Sequence, residues 1–279
     1  MQIVRESMAL QQTVRSIRAS GETLALVPTM GALHDGHLAL VVEARKRADR
    51  VMTTIFVNPT QFDDPADLER YPRTEGEDIA KLEGAGCDLV WIPLVSDIYP
   101  EGFATTVSVK GVSDRWEGAH RPGHFDGVAT VVAKLLIAAM PDVAIFGEKD
   151  FQQLAVIRRM VADLGLPVEI VGHETVREAD GLAMSSRNAL LSVEDRDRAP
   201  RFFEALSRAA ARTASGTAID VTIAEAKAAV SEAGFGPVDY LAYVDGETLE
   251  PLSEKRDGGR LIAAAFLGKV RLIDNLRVD

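Results

Sequence analysis

Leu24-Ala25-Leu26-Val27-Pro28-Thr29-Met30-Gly31 leads within three residues to His34-Asp35-Gly36-His37. The first four residues form an apolar run closed by proline and glycine, the pattern of a short buried strand. Beyond His37, Leu38, Val41, Val42 and Arg45 follow a helical spacing. A strand therefore turns tightly into a helix, with two imidazoles flanking a glycine at the junction. In an open α/β sheet such a junction presents backbone N–H groups and a positive helix end to a phosphate. Taken alone, the pattern equally fits a surface turn holding two of the chain's five histidines.

The same texture extends outward. Apolar runs at 24–27, 51–57, 89–92, 143–146 and 168–171 alternate with helical patterns at 75–82, at 128–140, and at Leu154, Ile157, Val161 and Leu164. Strands apolar on both faces and separated by helices predict an α/β fold with a doubly wound, Rossmann-like parallel sheet. After Val171 the pattern changes. A polar link at 175–192 is followed by alanine-rich helical stretches at 194–213 and 221–233 and by strand-like runs at 238–244, 261–266 and 270–273. These predict a smaller α+β domain, so the chain divides into residues 1–175 and 176–279. The run 107–109 reads as a further short strand that could lie in a subunit interface.

Composition narrows the function. With 31 Lys+Arg against 42 Asp+Glu the net charge is −11, which argues against a nucleic-acid surface and a tRNA-charging role. An anionic substrate must instead meet a few placed cations. Cys87 is the single cysteine, which excludes an internal disulfide and a cysteine zinc site. The stretch 128–140 is too short to span a bilayer and carries Lys134, and no signal pattern opens the chain. These features lead to the expectation of a cytoplasmic protein with no membrane partner. Neither GxxxxGK[ST] nor HExxH nor GxSxG occurs, which removes P-loop, zinc-protease and serine-hydrolase chemistry.

Ligands of open α/β sheets bind beyond the C-terminal strand ends. Those ends carry residues 28–37 after the first run, Asn58-Pro59-Thr60-Gln61-Phe62 after the second, and Gly147-Glu148-Lys149-Asp150 with Gln152 and Gln153 after the fourth. The fifth leads through Val176 to Met184-Ser185-Ser186-Arg187. Each segment alone also fits a turn, a cap or a solvated side chain; together they place amides, imidazoles, hydroxyls and cations on one sheet edge.

His34-x-Gly36-His37 followed by Met184-Ser185-Ser186-Arg187 resembles the HxGH/KMSKS nucleotidyltransferase superfamily. More narrowly, Pro28 to His37, Phe56 to Phe62, Arg121 to Gly127, Phe146 to Leu154 and Thr175 to Asn188 resemble the pantothenate synthetase (pantoate–β-alanine ligase) family. At the compared positions no motif residue departs from the family pattern; Phe151 stands where the family often has tyrosine.

The resemblance implies an ATP-dependent ligase that converts (R)-pantoate to pantoyl adenylate and pyrophosphate, then passes the pantoyl group to β-alanine with release of AMP. It implies catalytic roles for His34, His37, Lys149 and Arg187, with His37 the better proton donor on an unperturbed near-neutral pKa. ATP would be wrapped by Met30, Gly31, Ala32, Leu33, His34, Asp35, Gly36 and His37, and by Gly147, Glu148, Lys149 and Asp150. Val176 would meet adenine through its backbone, beside Met184, Ser185, Ser186 and Arg187. Gln61 and Gln153 would bind pantoate, with Gln61 also receiving β-alanine; Arg121 is a weaker candidate. Mg²⁺ would be held mainly by ATP phosphates, with Asp150 near it and no protein metal site. A homodimer is expected, with the second domain closing over the site. The alternatives are a nucleotidyltransferase acting on a phosphate acceptor, which the glutamines disfavour, and a non-catalytic nucleotide-binding module, which the paired imidazoles and Lys149 disfavour.

Overall fold

A computed structural model describes residues 1–62 and 65–278. In chain order its elements are β1 (Gln2–Val4), α1 (Ser7–Ala19), β2 (Leu24–Thr29), α2 (Asp35–Arg45), β3 (Arg50–Ile55), α3 (Pro65–Arg70), α4 (Glu75–Gly84), β4 (Leu89–Trp91), α5 (Val95–Ile98), α6 (Glu117–His120), α7 (His124–Ala139), β5 (Val143–Gly147) and α8 (Phe151–Leu164). There follow β6 (Glu169–His173), α9 (Val193–Arg198), α10 (Pro200–Ala214), α11 (Ile219–Glu232), β7 (Val238–Asp245), β8 (Gly259–Leu267) and β9 (Val270–Arg277). Short 3-10 turns occupy Pro59–Gln61, Glu148–Asp150 and Ser186–Leu190.

The first six strands make one parallel sheet in the order β1-β4-β3-β2-β5-β6. Apolar side chains leave it on both faces. Leu24, Leu26 and Met52 pack with α1, α7 and α8, while Ala25, Val27 and Val51 pack with α2 and α4. This is the doubly wound arrangement that the alternating runs predict. The sheet continues past them, because β1 and α1 add an edge. Three residues of strand are too few to show a period, and β1 exists by pairing with β4. The stretch 107–109 is not a strand. Val109 is buried in the core, and the Val107 N–H donates to Thr130 Oγ1 at 2.9 Å in place of a ladder bond.

The chain moves outward from β2 through β3 to β4, then returns to β5 on the other side of β2. The strand order reverses between β2 and β5, where such sheets bind ligands. Those strands pair only at Ala25–Val143 and Leu26–Ala144, then separate. Pro28 belongs to this gap. The Thr29 carbonyl accepts from Phe56 N–H on the β3 side, so Pro28, one residue earlier, faces β5. Its missing N–H falls where β5 has already diverged, and no ladder bond is lost.

The C-terminal part is an antiparallel sheet, β7-β8-β9, packed on α10 and α11. β9 runs to Arg277, past the expected end at Ile273, and carries the buried Asp274 and Asn275. The predicted helix at 194–213 is two helices, broken around Ala199-Pro200.

Candidate active site

A cleft of about 820 Å³ opens at the β2–β5 gap and extends between the two sheets. Its lining includes Met30, His34, Gly36, His37, Gln61, Gly147, Lys149, Asp150, Gln153, Val176, Met184, Ser185, Ser186 and Arg187. Residues spread over more than 150 positions of sequence thus meet around one space. Gly31, Ala32, Leu33, Asp35 and Glu148, expected to wrap the nucleotide, do not line it.

The reason lies in the turn after β2. Gly31 and Ala32 both take positive φ, at 82° and 51°. This points two successive amides the same way, an arrangement that binds anions. The anion is the protein's own: Ala32 N–H donates to Asp78 Oδ2 at 2.9 Å and Leu33 N–H to Oδ1 at 2.8 Å. Asp78, on α4, is fully buried, so these amides are not free for phosphate. A Cβ on Gly31 would sit 3.1 Å from that carboxylate, so glycine suits both the φ and the contact. Leu33 is buried in the core below, and Lys81 Nζ donates to its carbonyl at 2.7 Å. No motif in the sequence singles out Asp78.

His34 caps α2 with an extended backbone. Its N–H donates to His37 Nδ1 at 3.3 Å, and the two ring centroids lie 4.0 Å apart. Since Nδ1 accepts, the His37 proton sits on Nε2. Burial, followed by the nearby His34 and Lys149, brings the His37 pKa down to about 3. The expected near-neutral value is thereby corrected: without ligand His37 is a neutral N–H donor, not a proton reservoir. Burial and Lys149 also lower the His34 pKa. His34 packs over Gly36, where a Cβ would come within 2.9 Å of its ring, so the glycine makes room for the imidazole.

On the β3 side, Asn58 acts as a hub. Its Oδ1 accepts from Tyr99 OH at 2.7 Å and Thr60 Oγ1 at 2.9 Å; its Nδ2 donates to Gly127 O at 3.2 Å and Gln61 Oε1 at 3.1 Å. Gln61 Oε1 is thereby occupied, leaving Nε2 as its donor, now 3.0 Å from Met30 Sδ. The sequence places Asn58 among the amides of the ligand edge; at 1% exposure it is a buried support. Arg121 also enters the wall, donating to Gln61 O at 2.9 Å and Glu117 Oε1 at 3.3 Å.

Across the gap, Lys149 Nζ lies 3.7 Å from Asp150 Oδ1. Its turn carries no side-chain cap of its own; the Asn275 amide holds the carbonyls of Glu148 and Lys149. Glu148 turns away to Arg260 at 2.8 Å, which explains its absence from the lining. Beyond β6, Met184 N–H donates to Val176 O at 3.0 Å, forming a hairpin that delivers Ser185 to Arg187. The Val176 carbonyl already holds one bond there. Ser185 Oγ accepts from Arg187 N–H at 3.2 Å, and Ser186 hydrogen-bonds Tyr71. Among the described residues no group of three or more His, Cys, Asp or Glu side chains could hold a metal ion, and no helix is long and apolar enough to cross a membrane.

The chain is similar in sequence and in fold to known proteins. The sequence model of the family described as Pantoate-beta-alanine ligase matches residues 2–277. A pantothenate synthetase of Rhizorhabdus wittichii is 57% identical over 279 residues, covering 100% of this chain and 99% of the relative. The crystal structure of pantothenate synthetase from Thermus thermophilus superposes with a TM-score of 0.95 at 48% identity, over 100% of this chain and 99% of the other. A Francisella tularensis pantoate-beta-alanine ligase, complexed with beta-gamma ATP and beta-alanine, superposes with a TM-score of 0.85 at 33% identity over 99% of this chain and 97% of the other. The chain belongs to the pantoate–β-alanine ligase family.

Proposed function

We propose that the protein is an ATP-dependent ligase joining (R)-pantoate to β-alanine through pantoyl adenylate, with AMP and pyrophosphate released. The supporting observation is the meeting of His34, His37, Lys149, Ser185, Ser186 and Arg187 with Gln61 and Gln153 around one cleft at the sheet's switch point. In the first step the pantoate carboxylate attacks the α-phosphorus, and charge builds on the departing pyrophosphate. Lys149, Arg187, the Ser185 and Ser186 hydroxyls and the His37 Nε2–H offer donors that strengthen as that charge develops. A triphosphate also favours the protonated imidazole, raising the His37 pKa from its low free value.

Gln61 Nε2, oriented by Asn58, and the Gln153 amide supply neutral donors and acceptors suited to a substrate with two hydroxyls and a carboxylate. In the second step the β-alanine amine, received beside Gln61, displaces AMP from the acyl carbon. Mg²⁺ would enter with ATP. Beside Lys149 the cleft offers it the half-exposed carboxylate of Asp150, which fits a cation held mainly by phosphate oxygens.

In this reading residues 1–175 bind ATP and pantoate, and residues 176–279 close over the site and exclude water from the acyl adenylate. The protein works as a homodimer in the cytoplasm, which light scattering and cell fractionation check. Labelled pyrophosphate should exchange into ATP with pantoate and Mg²⁺ but without β-alanine. No exchange at saturating pantoate would remove the adenylate route.

A further inference from the structure

Two cation-bearing segments of the cleft, those of Lys149 and Arg187, are fastened to consecutive residues of one strand in the C-terminal sheet. Asn275 Nδ2 donates to the carbonyls of Glu148 at 2.8 Å and Lys149 at 3.0 Å. Arg260 Nη1 donates to Asn275 Oδ1, which fixes the amide with its nitrogen toward those carbonyls. Arg260 in turn lies over the Phe151 ring at 3.8 Å and pairs with Glu148.

On the other sheet face, Asp274 takes Arg177 in a two-point pair at 2.7 and 2.9 Å. Arg177 bridges Ala183 at the base of the hairpin that precedes Ser185, and also donates to Gly181 O at 3.0 Å. The Asp274 carboxylate accepts from Asn275 N–H at 2.7 Å, joining the two attachments. Asp274 and Asn275 are each 4% exposed. Two adjacent buried polar residues in a strand are costly unless bonded, and here, on the wall of the cleft, their side-chain bonds lead to its Lys149 and Ser185–Arg187 segments.

We propose that Asp274 and Asn275 are positioning residues for adenylation: they set the Lys149 loop and the Ser185–Arg187 segment at a fixed separation across the triphosphate. The C-terminal sheet then acts as the ruler between the two cations as well as a cover. This rests on the functional reading above. It assigns Asn275 to Lys149 and Asp274 to Arg187, so each acts only through its own cation.

Mutant cycles on pyrophosphate exchange test it. Asn275→Ala should lower kcat about 10- to 100-fold, the cost of misplacing a group by roughly 1 Å, with the KM for pantoate little changed. The Asn275→Ala/Lys149→Ala double variant should be no slower than Lys149→Ala alone. Asp274→Asn should behave likewise in an Arg187→Ala background. Rates are normalised to the folded fraction, and Asn275→Gln, which keeps the amide, should recover part of the loss and serves if the alanine variant does not fold. Multiplying losses in either cycle, or a wild-type rate in either single variant, would overturn the proposal. Absence of exchange in the wild-type protein would instead strike the functional reading, and the same cycles would then be read on ATP affinity.

Discussion

Two loops face each other across the β2–β5 gap, and they are held in opposite ways. The 31–37 turn is fixed from within its own sheet layer: Asp78 on α4 takes the Ala32 and Leu33 amides, and Gly36 accommodates the His34 ring. The Glu148–Asp150 turn is fixed from outside, by Asn275 on a strand more than a hundred residues away. The imidazoles therefore stay in place however the C-terminal part sits, whereas Lys149 depends on its docking. The difference ties the imidazole wall to its own layer and the Lys149 wall to the C-terminal sheet.

The largest effect is expected from Lys149→Ala, which leaves both loops anchored and removes only the cation. Pyrophosphate exchange should fall about 10²–10³-fold, comparable to loss of one transition-state donor, with an unchanged melting temperature. A fall in melting temperature instead would mean that both loops are structural in the same sense.

Asp78→Asn probes the inner clamp. One of two buried amide donors would then face an NH₂ group, and stability measured by denaturant titration should drop about 1–3 kcal/mol. Asn275→Ala should cost less stability for its loss of rate; the reverse ranking would invert the comparison. Gly36→Ala pushes a methyl to within 2.9 Å of the His34 ring. About tenfold of exchange activity should be lost, or roughly 1.4 kcal/mol, at nearly constant stability.

The last effect shows only below neutral pH. His37 binds a proton near 6.5 when unfolded and at about 3 when folded. Between those values the unfolded chain holds more protons, so stability is full above pH 6.5 and declines as pH falls toward 3. His37→Gln should flatten that slope in pH-dependent denaturation curves. An unchanged slope would show that the turn does not keep His37 neutral.

Much of the fold was legible because parallel strands bury both faces and so read as continuous apolar runs at 24–27, 89–92 and 143–146. The motif segments were legible because strand ends fall on one edge, which groups Gln61, Lys149 and Ser185–Arg187 from the order of the runs alone. Asp78 and Asn275 escaped because their chemistry depends on a partner distant in sequence: nothing marks the aspartate until Ala32 and Leu33 are placed over it.

The sequence by itself determined the α/β architecture, the cleft edge and the family, since these follow from apolar periodicity and from local motifs. Only the tertiary structure decided which amides are spent on Asp78, that His37 is neutral, and that the Lys149 loop hangs from β9. Burial and long-range hydrogen bonds set those properties, and neither is encoded in any one segment.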